Sequence, residues 1–290
     1  IGSSAFYGCS KLTNVTIPSR TILDSLLESA DHINHITISN CNNSIRNNEF
    51  SGIDILTVTI SNSINIIGDK SFYNCPKLTS VIIGDSVTSI GSSAFEYCSS
   101  LSSVTIGNSV TSIGQWAFYI CSSLTEIIIP DSVTTIGEYE FESNEELKKI
   151  VIPASVTVIK EGAFHGCDLE TVVLSEGLLE IQNSAFGACD CLKSVVIPDS
   201  VQSIGERAFS FCTSLEAVTL SKNLTKIGNG AFDHCSCLKS VVIPDGVTEI
   251  EKNVFADCWS LETVALNDNL TKIESGAFWN CKSLTSISIP

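Results

Sequence analysis

Three glutamates, Glu138, Glu140 and Glu142, bracket Phe141, and two Cys-x-Cys pairs stand at Cys189–Cys191 and Cys235–Cys237. A carboxylate pair at the right separation can share acid and nucleophile roles in glycoside cleavage. Paired thiolates can ligate zinc. Neither pattern carries its chemistry far. The glutamates lie in a stretch, 126–190, that holds 13 acidic residues and only three basic ones, Lys148, Lys149 and Lys160, which reads as a solvated loop. Zinc pairs are usually spaced Cys-x2-Cys or wider, with a second pair nearby. Cys191 and Cys237 fall two repeats apart, about 10 Å by strand spacing. The four histidines, His32, His35, His165 and His234, follow no pattern and stand beside no convincing nucleophile. Serines and threonines fill periodic columns rather than a nucleophile elbow, and no glycine-rich phosphate loop is present. The expectation is a protein with no catalytic residue, no metal and no cofactor.

A period organises these residues. Phe72, Phe95, Phe118, Phe141 and Phe164 are each 23 residues apart; after one 22-residue step, Phe186, Phe209, Phe232, Phe255 and Phe278 resume the 23. A fixed period of this length marks a solenoid, in which each unit buries its apolar face only against its neighbours. One copy runs Phe186, Cys189, Leu192, Val195, Ile197, Pro198, Val201, Ile204, Gly205, Ala208, Phe209. Degenerate copies extend the array: Phe6, Cys9, Leu12, Val15 and Ile17, then Leu27, Ala30, Ile33, Ile36 and Ile38, then Phe50, Ile55, Val58 and Ile60. The count is 13 repeats of 22–23 residues, and residues 1–290 read as a single solenoid with degenerate repeats at 20–65. The chain opens in mid-repeat without Met and closes on a repeat's proline, so it reads as an excerpt of a longer protein.

The pattern assigns elements within the repeat. Val-x-Ile alternates as a short half-buried strand does. Six of the seven prolines (Pro18, Pro130, Pro153, Pro198, Pro244, Pro290) follow that Ile, just past the paired region. Val-x2-Ile-Gly reads as a second extended segment ending in a bend, with Gly91, Gly114, Gly137, Gly205 and Gly228 suited to positive φ. Ser-Ser-Ala-Phe is too short for an α-helix and reads as one tight helical turn. Arg20 to Asn65 departs most from the frame, with a short helix expected over Ile22–Glu28 and an Asn-rich turn over Asn40–Asn48. Ten of the 13 cysteines share one column, and Asn144 takes the same place once. A small, weakly polar side chain that packs inside and bonds a turn satisfies both, so buried free thiols are expected rather than a disulfide scaffold.

The formal charge of −16 argues against nucleic acid and anionic membrane as partners, and no apolar run approaches the ~20 residues needed to span a bilayer. The acidic stretch is a solubilising face, or a site for a cationic partner or Ca²⁺ without a Ca²⁺-loop signature. The strand pattern supplies the leading binding candidate. Ile82, Thr105, Ile128, Val151, Val173, Val196, Thr219 and Val242 lie between the two inward positions, with Lys149 in the column before them. They form an uncharged, β-branched surface of the kind that marks interaction sites, though strand propensity alone would also select them. A second candidate is the turn edge, where Tyr73, Tyr97 and Tyr119 lie one or two residues past the Phe column.

Ile-Gly-Ser-Ser-Ala-Phe-x2-Cys-Ser-Ser-Leu-x2-Val-x-Ile, as at Ile90 to Ile106, resembles the BspA-like class of leucine-rich repeats, and the likeness covers essentially the whole chain. The resemblance implies a curved, right-handed solenoid with a parallel inner sheet. It also implies adhesion to host proteins or to other microbes, at the surface of a bacterium or a mucosal protozoan. Adhesion of this kind uses a surface, so no catalytic residues transfer. The expectation is a non-enzymatic protein-binding module of a cell-surface or secreted protein, acting through its inner sheet. The alternative is a structural spacer that displays another domain.

Overall fold

A computed structural model describes residues 5–27, 33–39 and 42–290. Glu28, Ala30, His32 and Asn40 lie outside the described residues, as does Cys41. The chain forms two compact units, Ile1–Ser132 and Val133–Pro290. In the first, strands Asn14–Ile17, His35–Ile38, Thr57–Ile60, Ser80–Ile83, Ser103–Thr105 and Glu126–Ile127 pair in chain order as one parallel sheet. Shorter strands Ser44–Ile45, Ile66–Ile67, Ser89–Ile90 and Ser112–Ile113 pair as a second.

The second unit alternates in the same way. Its longer strands are Lys149–Ile152 with Thr171–Leu174, and Ser194–Val196, Ala217–Thr219, Ser240–Val242 and Thr263–Ala265. Its shorter ones run from Thr135–Ile136 to Lys226–Ile227 as five paired strands, followed by Glu249–Ile250 with Lys272–Ile273.

Each strand pairs with its equivalent one repeat away, so Val58 sits beside Val81 and Val81 beside Val104. The core is therefore built of rows of like residues. Val81 and Ile83 are buried, while Ile82 between them is exposed, the two-residue alternation of a strand. The Phe column is buried from Phe50 to Phe255. Within each unit its rings stack at 5.1–5.6 Å between centroids, with planes 2–9° apart.

Thirteen repeats yield eleven complete two-strand turns among the described residues. The first repeat puts a helix, Arg20–Leu27, where its second strand would be, and buries Leu23 and Leu26 beneath it. The last repeat reaches Pro290 with no described strand after Phe278.

The Phe turn is not a helical turn. Residues two before and two after each Phe are left-handed: Ser93 (φ 57°) and Tyr97 (φ 62°), Ser184 (φ 52°) and Ala188 (φ 55°), Arg207 (φ 53°) and Phe211 (φ 61°). This conformation costs a non-glycine residue roughly 1–2 kcal/mol. Alternate N–H groups thereby aim along the stack. Ser93, Phe95 and Tyr97 donate to carbonyls of the next rung (Gln115, Ala117, Tyr119), while Glu96 and Cys98 close the turn onto Ser93 and Phe95.

The glycines after the short strands serve a different need from the one expected. Gly91, Gly114, Gly205 and Gly228 do not have positive φ. Each lies so close to the preceding rung that a Cβ would meet its backbone, at 2.5 Å from Asp69 N for Gly91 and 2.5 Å from Asn183 N for Gly205. Close approach, not backbone handedness, selects glycine here.

Candidate functional site

The long strands decide which side chains a partner could touch. Because Val and Ile at alternate positions must enter the core, the residue between them points out. Ile128 is 80 % exposed, Val242 68 % and Val196 63 %; Ile82, Val151 and Val173 are between two-fifths and one-half exposed. Thr105, Lys149 and Thr219 are exposed too. In the first unit Ile82, Thr105 and Ile128 line a groove of about 720 Å³, whose far rim is Asn62, Asp85 and Asn108. In the second unit Thr219 and Val242 line a smaller one of about 280 Å³ with Val218, Leu220 and Pro244. Both hollows are apolar at the strands and polar or proline-edged beyond them.

The turn-edge tyrosines also meet. Tyr97 packs edge-on against Tyr73 and Tyr119, each at 5.6 Å between centroids. Tyr97 is exposed, while Tyr73 and Tyr119 are half-buried, so much of this row covers itself.

The cysteine column is engaged inside. The thiols of Cys98, Cys121, Cys167, Cys189, Cys212, Cys235 and Cys258 donate to the carbonyl of the preceding repeat's Phe at 3.0–3.3 Å. Burial pushes Cys167 up to about 12 and lifts Cys121 and Cys258 further, so these thiols stay protonated and unreactive. Cys9 departs from the expected burial and is exposed, and Cys281 is half-buried; each sits in a terminal rung. Asn144, the one substitute, donates its amide to the Phe141 carbonyl at 2.7 Å.

The acidic stretch contains one surprise. Glu140, read from sequence as part of a solvated loop, is fully buried, in the small-residue position held elsewhere by Ala94, Ala163 or Ala208. Its Oε2 accepts the Gly137 N–H at 2.6 Å, Oε1 has no hydrogen-bond partner, and burial pushes the carboxyl up to about 8. A carboxyl sealed in this way cannot reach a sugar. Its neighbours are paired at the surface: Tyr139 donates to Glu161 at 2.6 Å, which pushes the phenol up to about 12, and Lys148 meets Asp168 at 3.2 Å.

Two histidines treated as patternless have carboxylate company. His165 Nδ1 lies 3.4 Å from Glu142, and His234 sits between Asp233 and Asp257. The signal for the second group is an aspartate one repeat after a histidine in the same column, with another aspartate beside it. It becomes readable only when the chain is written in 23-residue lines. Among the described residues no helix is long and apolar enough to cross a membrane.

Comparison with known proteins agrees with this architecture. A family model described as the BspA type leucine rich repeat region matches residues 1–97, 65–193 and 179–290. A solved leucine-rich repeat protein from Bacteroides ovatus is 30 % identical, with 100 % of this chain and 70 % of that one covered and a TM-score of 0.77. A leucine rich cell surface protein from Faecalibacterium prausnitzii is 29 % identical, covering 87 % of this chain and 86 % of its own, with a TM-score of 0.46. The leucine rich repeat protein of T. pallidum is 26 % identical, covering 67 % and 82 %, with a TM-score of 0.49. No curated protein sequence matches significantly. A parallel solenoid with these buried Phe, Cys and Leu columns, matched along its length, belongs to the BspA-type leucine-rich repeat family.

Proposed function

We propose that the chain is a non-enzymatic protein-binding module of a cell-surface or secreted protein, taking its ligand on the exposed face of the long strands. The observation that carries this reading is the exposure of Ile128, Val196 and Val242, apolar side chains that a solubility-driven surface would replace with charge. Parallel pairing sets Val196 beside Thr219 and Val242 beside Ala265, so a ligand need not order this part of the face on binding. A protein with apolar or β-rich surface, such as a host matrix protein or a surface protein of another microbe, fits such rows. The net charge of −16 disfavours nucleic acid.

A binding screen of the purified chain against matrix and plasma proteins, with Val151→Glu plus Val196→Glu alongside, tests the reading. Saturable binding that falls more than tenfold in a variant of unchanged melting temperature is the expected result. Unchanged binding in the variant excludes this face. No ligand at all for the folded chain points instead to a spacer that displays another domain.

A further inference from the structure

The residue just before each long strand follows a pattern in the second unit that the first unit lacks. In successive rungs it is Lys148, Glu170, Lys193, Glu216, Lys239 and Glu262, strictly alternating in sign. The same column holds Thr79, Ser102 and Thr125 before this run and Thr285 after it. The first three hydroxyls donate to the carbonyl of the rung before: Thr79 to Leu56 at 2.9 Å, Ser102 to Thr79 at 3.1 Å and Thr125 to Ser102 at 3.3 Å. A hydroxyl therefore satisfies the fold at this position, which does not require the six charges.

Cross-strand pairing within the chain accounts for part of the alternation. Lys239 bonds Glu216 at 2.6 Å, and the half-buried Lys148 turns to Asp168 at 3.2 Å. Glu170, Lys193 and Glu262 are exposed and enter no ion pair among the described residues. Pairing along the chain is served by any number of rungs. An even number does more, because the column read in reverse is its own complement. Lys148 then falls opposite Glu262, Glu170 opposite Lys239, and Lys193 opposite Glu216. A run of five would set like charge against like. The outward column matches under the same reversal, with Val151 opposite Ala265, Val173 opposite Val242 and Val196 opposite Thr219, all of them exposed. Between the two columns Thr171, Ser194, Ala217, Ser240 and Thr263 are short, and the one long side chain, Lys149, falls opposite Thr263 at the rim. Nothing there holds two such faces apart.

We propose that the long-strand face of the second unit binds a second copy of this chain, the two related by a two-fold axis that runs along the strands between the rungs of Lys193 and Glu216. That operation keeps strand direction and reverses rung order, so each column meets itself. The proposal rests on the reading of this face as a recognition surface and names its partner. Six rungs at about 4.8 Å, each offering about four residues at about 3.3 Å, give a patch of roughly 30 by 13 Å per copy. That is less than a stable dimer buries, so the contact is transient in solution and suits adhesion between surfaces that each display many copies.

Analytical ultracentrifugation of the reduced whole chain tests the proposal, at concentrations up to about 300 µM because so small an interface is weak. The expected result is a reversible monomer–dimer equilibrium that weakens as salt rises. Lys193→Glu sets like charge across the axis twice and should weaken association about tenfold or more. Lys193→Glu with Glu216→Lys restores opposite charge across the axis and should bring association back to within about threefold of the parent. Within the chain, each variant creates two like-charged neighbouring pairs in the column. A ladder that only stabilised the monomer would therefore show similar melting shifts in both and no rescue. A dimer indifferent to Lys193→Glu, or one that the charge swap fails to restore, would overturn the assignment. So would a chain that stays monomeric throughout this range; if that chain still bound another protein saturably through this face, the ligand-binding reading would stand without the second copy.

Discussion

At the Phe turn, rings stack at 5.1–5.6 Å, alternate N–H groups reach the next rung, and the cysteine thiol donates to a Phe carbonyl. On the long-strand face of the same repeats, Ile128, Val196 and Val242 meet solvent. The turn repeats nearly the same residue in every rung because every rung must satisfy its neighbour. The strand face varies among Ile, Val, Thr and Ala at fixed geometry. The turn is constrained by its neighbours in every rung, and on the proposed reading the outward positions of the strands carry recognition. Substitutions at the two places should separate those roles.

The largest effect is expected in the ring stack. Phe209→Ala removes a fully buried ring from between Phe186 and Phe232 and should cost about 3–5 kcal/mol in urea denaturation. Next is Glu140. Burial lifts its folded carboxyl to about 8 from a reference of 4.5, so the folded chain keeps a proton that the unfolded chain releases. Stability should fall as pH rises from about 4.5 to about 8, by on the order of a few kcal/mol, and then level off. Glu140→Gln should flatten that part of the profile, and an unchanged slope would assign the pH dependence elsewhere.

The glycine and left-handed positions give a sharper contrast. Gly205→Ala drives a Cβ to within 2.5 Å of Asn183 N and should cost roughly 1–3 kcal/mol. Ser184→Gly, at φ 52° in the same unit, should raise stability by up to about 1 kcal/mol. Thermal melting reads both signs. The same sign for both would refute the distinction between close approach and left-handed backbone.

Much of this division was legible in the amino-acid order. The Phe, Cys, Leu and Val-x-Ile columns announce themselves because complete burial leaves each position few alternatives. The outward position between Val and Ile follows from strand alternation alone. What could not be read has physical reasons. Gly91 and Gly205 suggest positive φ because glycine answers both handedness and crowding, and only the neighbouring rung tells them apart. Ser93 and Tyr97 are left-handed without being glycine, since bonds to the next rung offset the cost. Glu140 looks solvated in an acidic stretch until its column, otherwise small and buried, is recognised. Asp257 lies 23 residues beyond His234 and meets it only through the stacking of one repeat on the next.

The most direct measurement compares two variants of the second unit against a single captured protein ligand. Val196→Glu plus Val242→Glu places charge on the strand face, and Trp279→Ser removes an exposed aromatic from the Phe-turn edge. Exposed substitutions of this kind should each leave stability within about 0.5 kcal/mol. Loss of affinity by a hundredfold or more in the first, with the second binding as the parent does, is the predicted outcome. Full affinity in the strand-face variant with loss in Trp279→Ser would contradict it and move recognition to the turn.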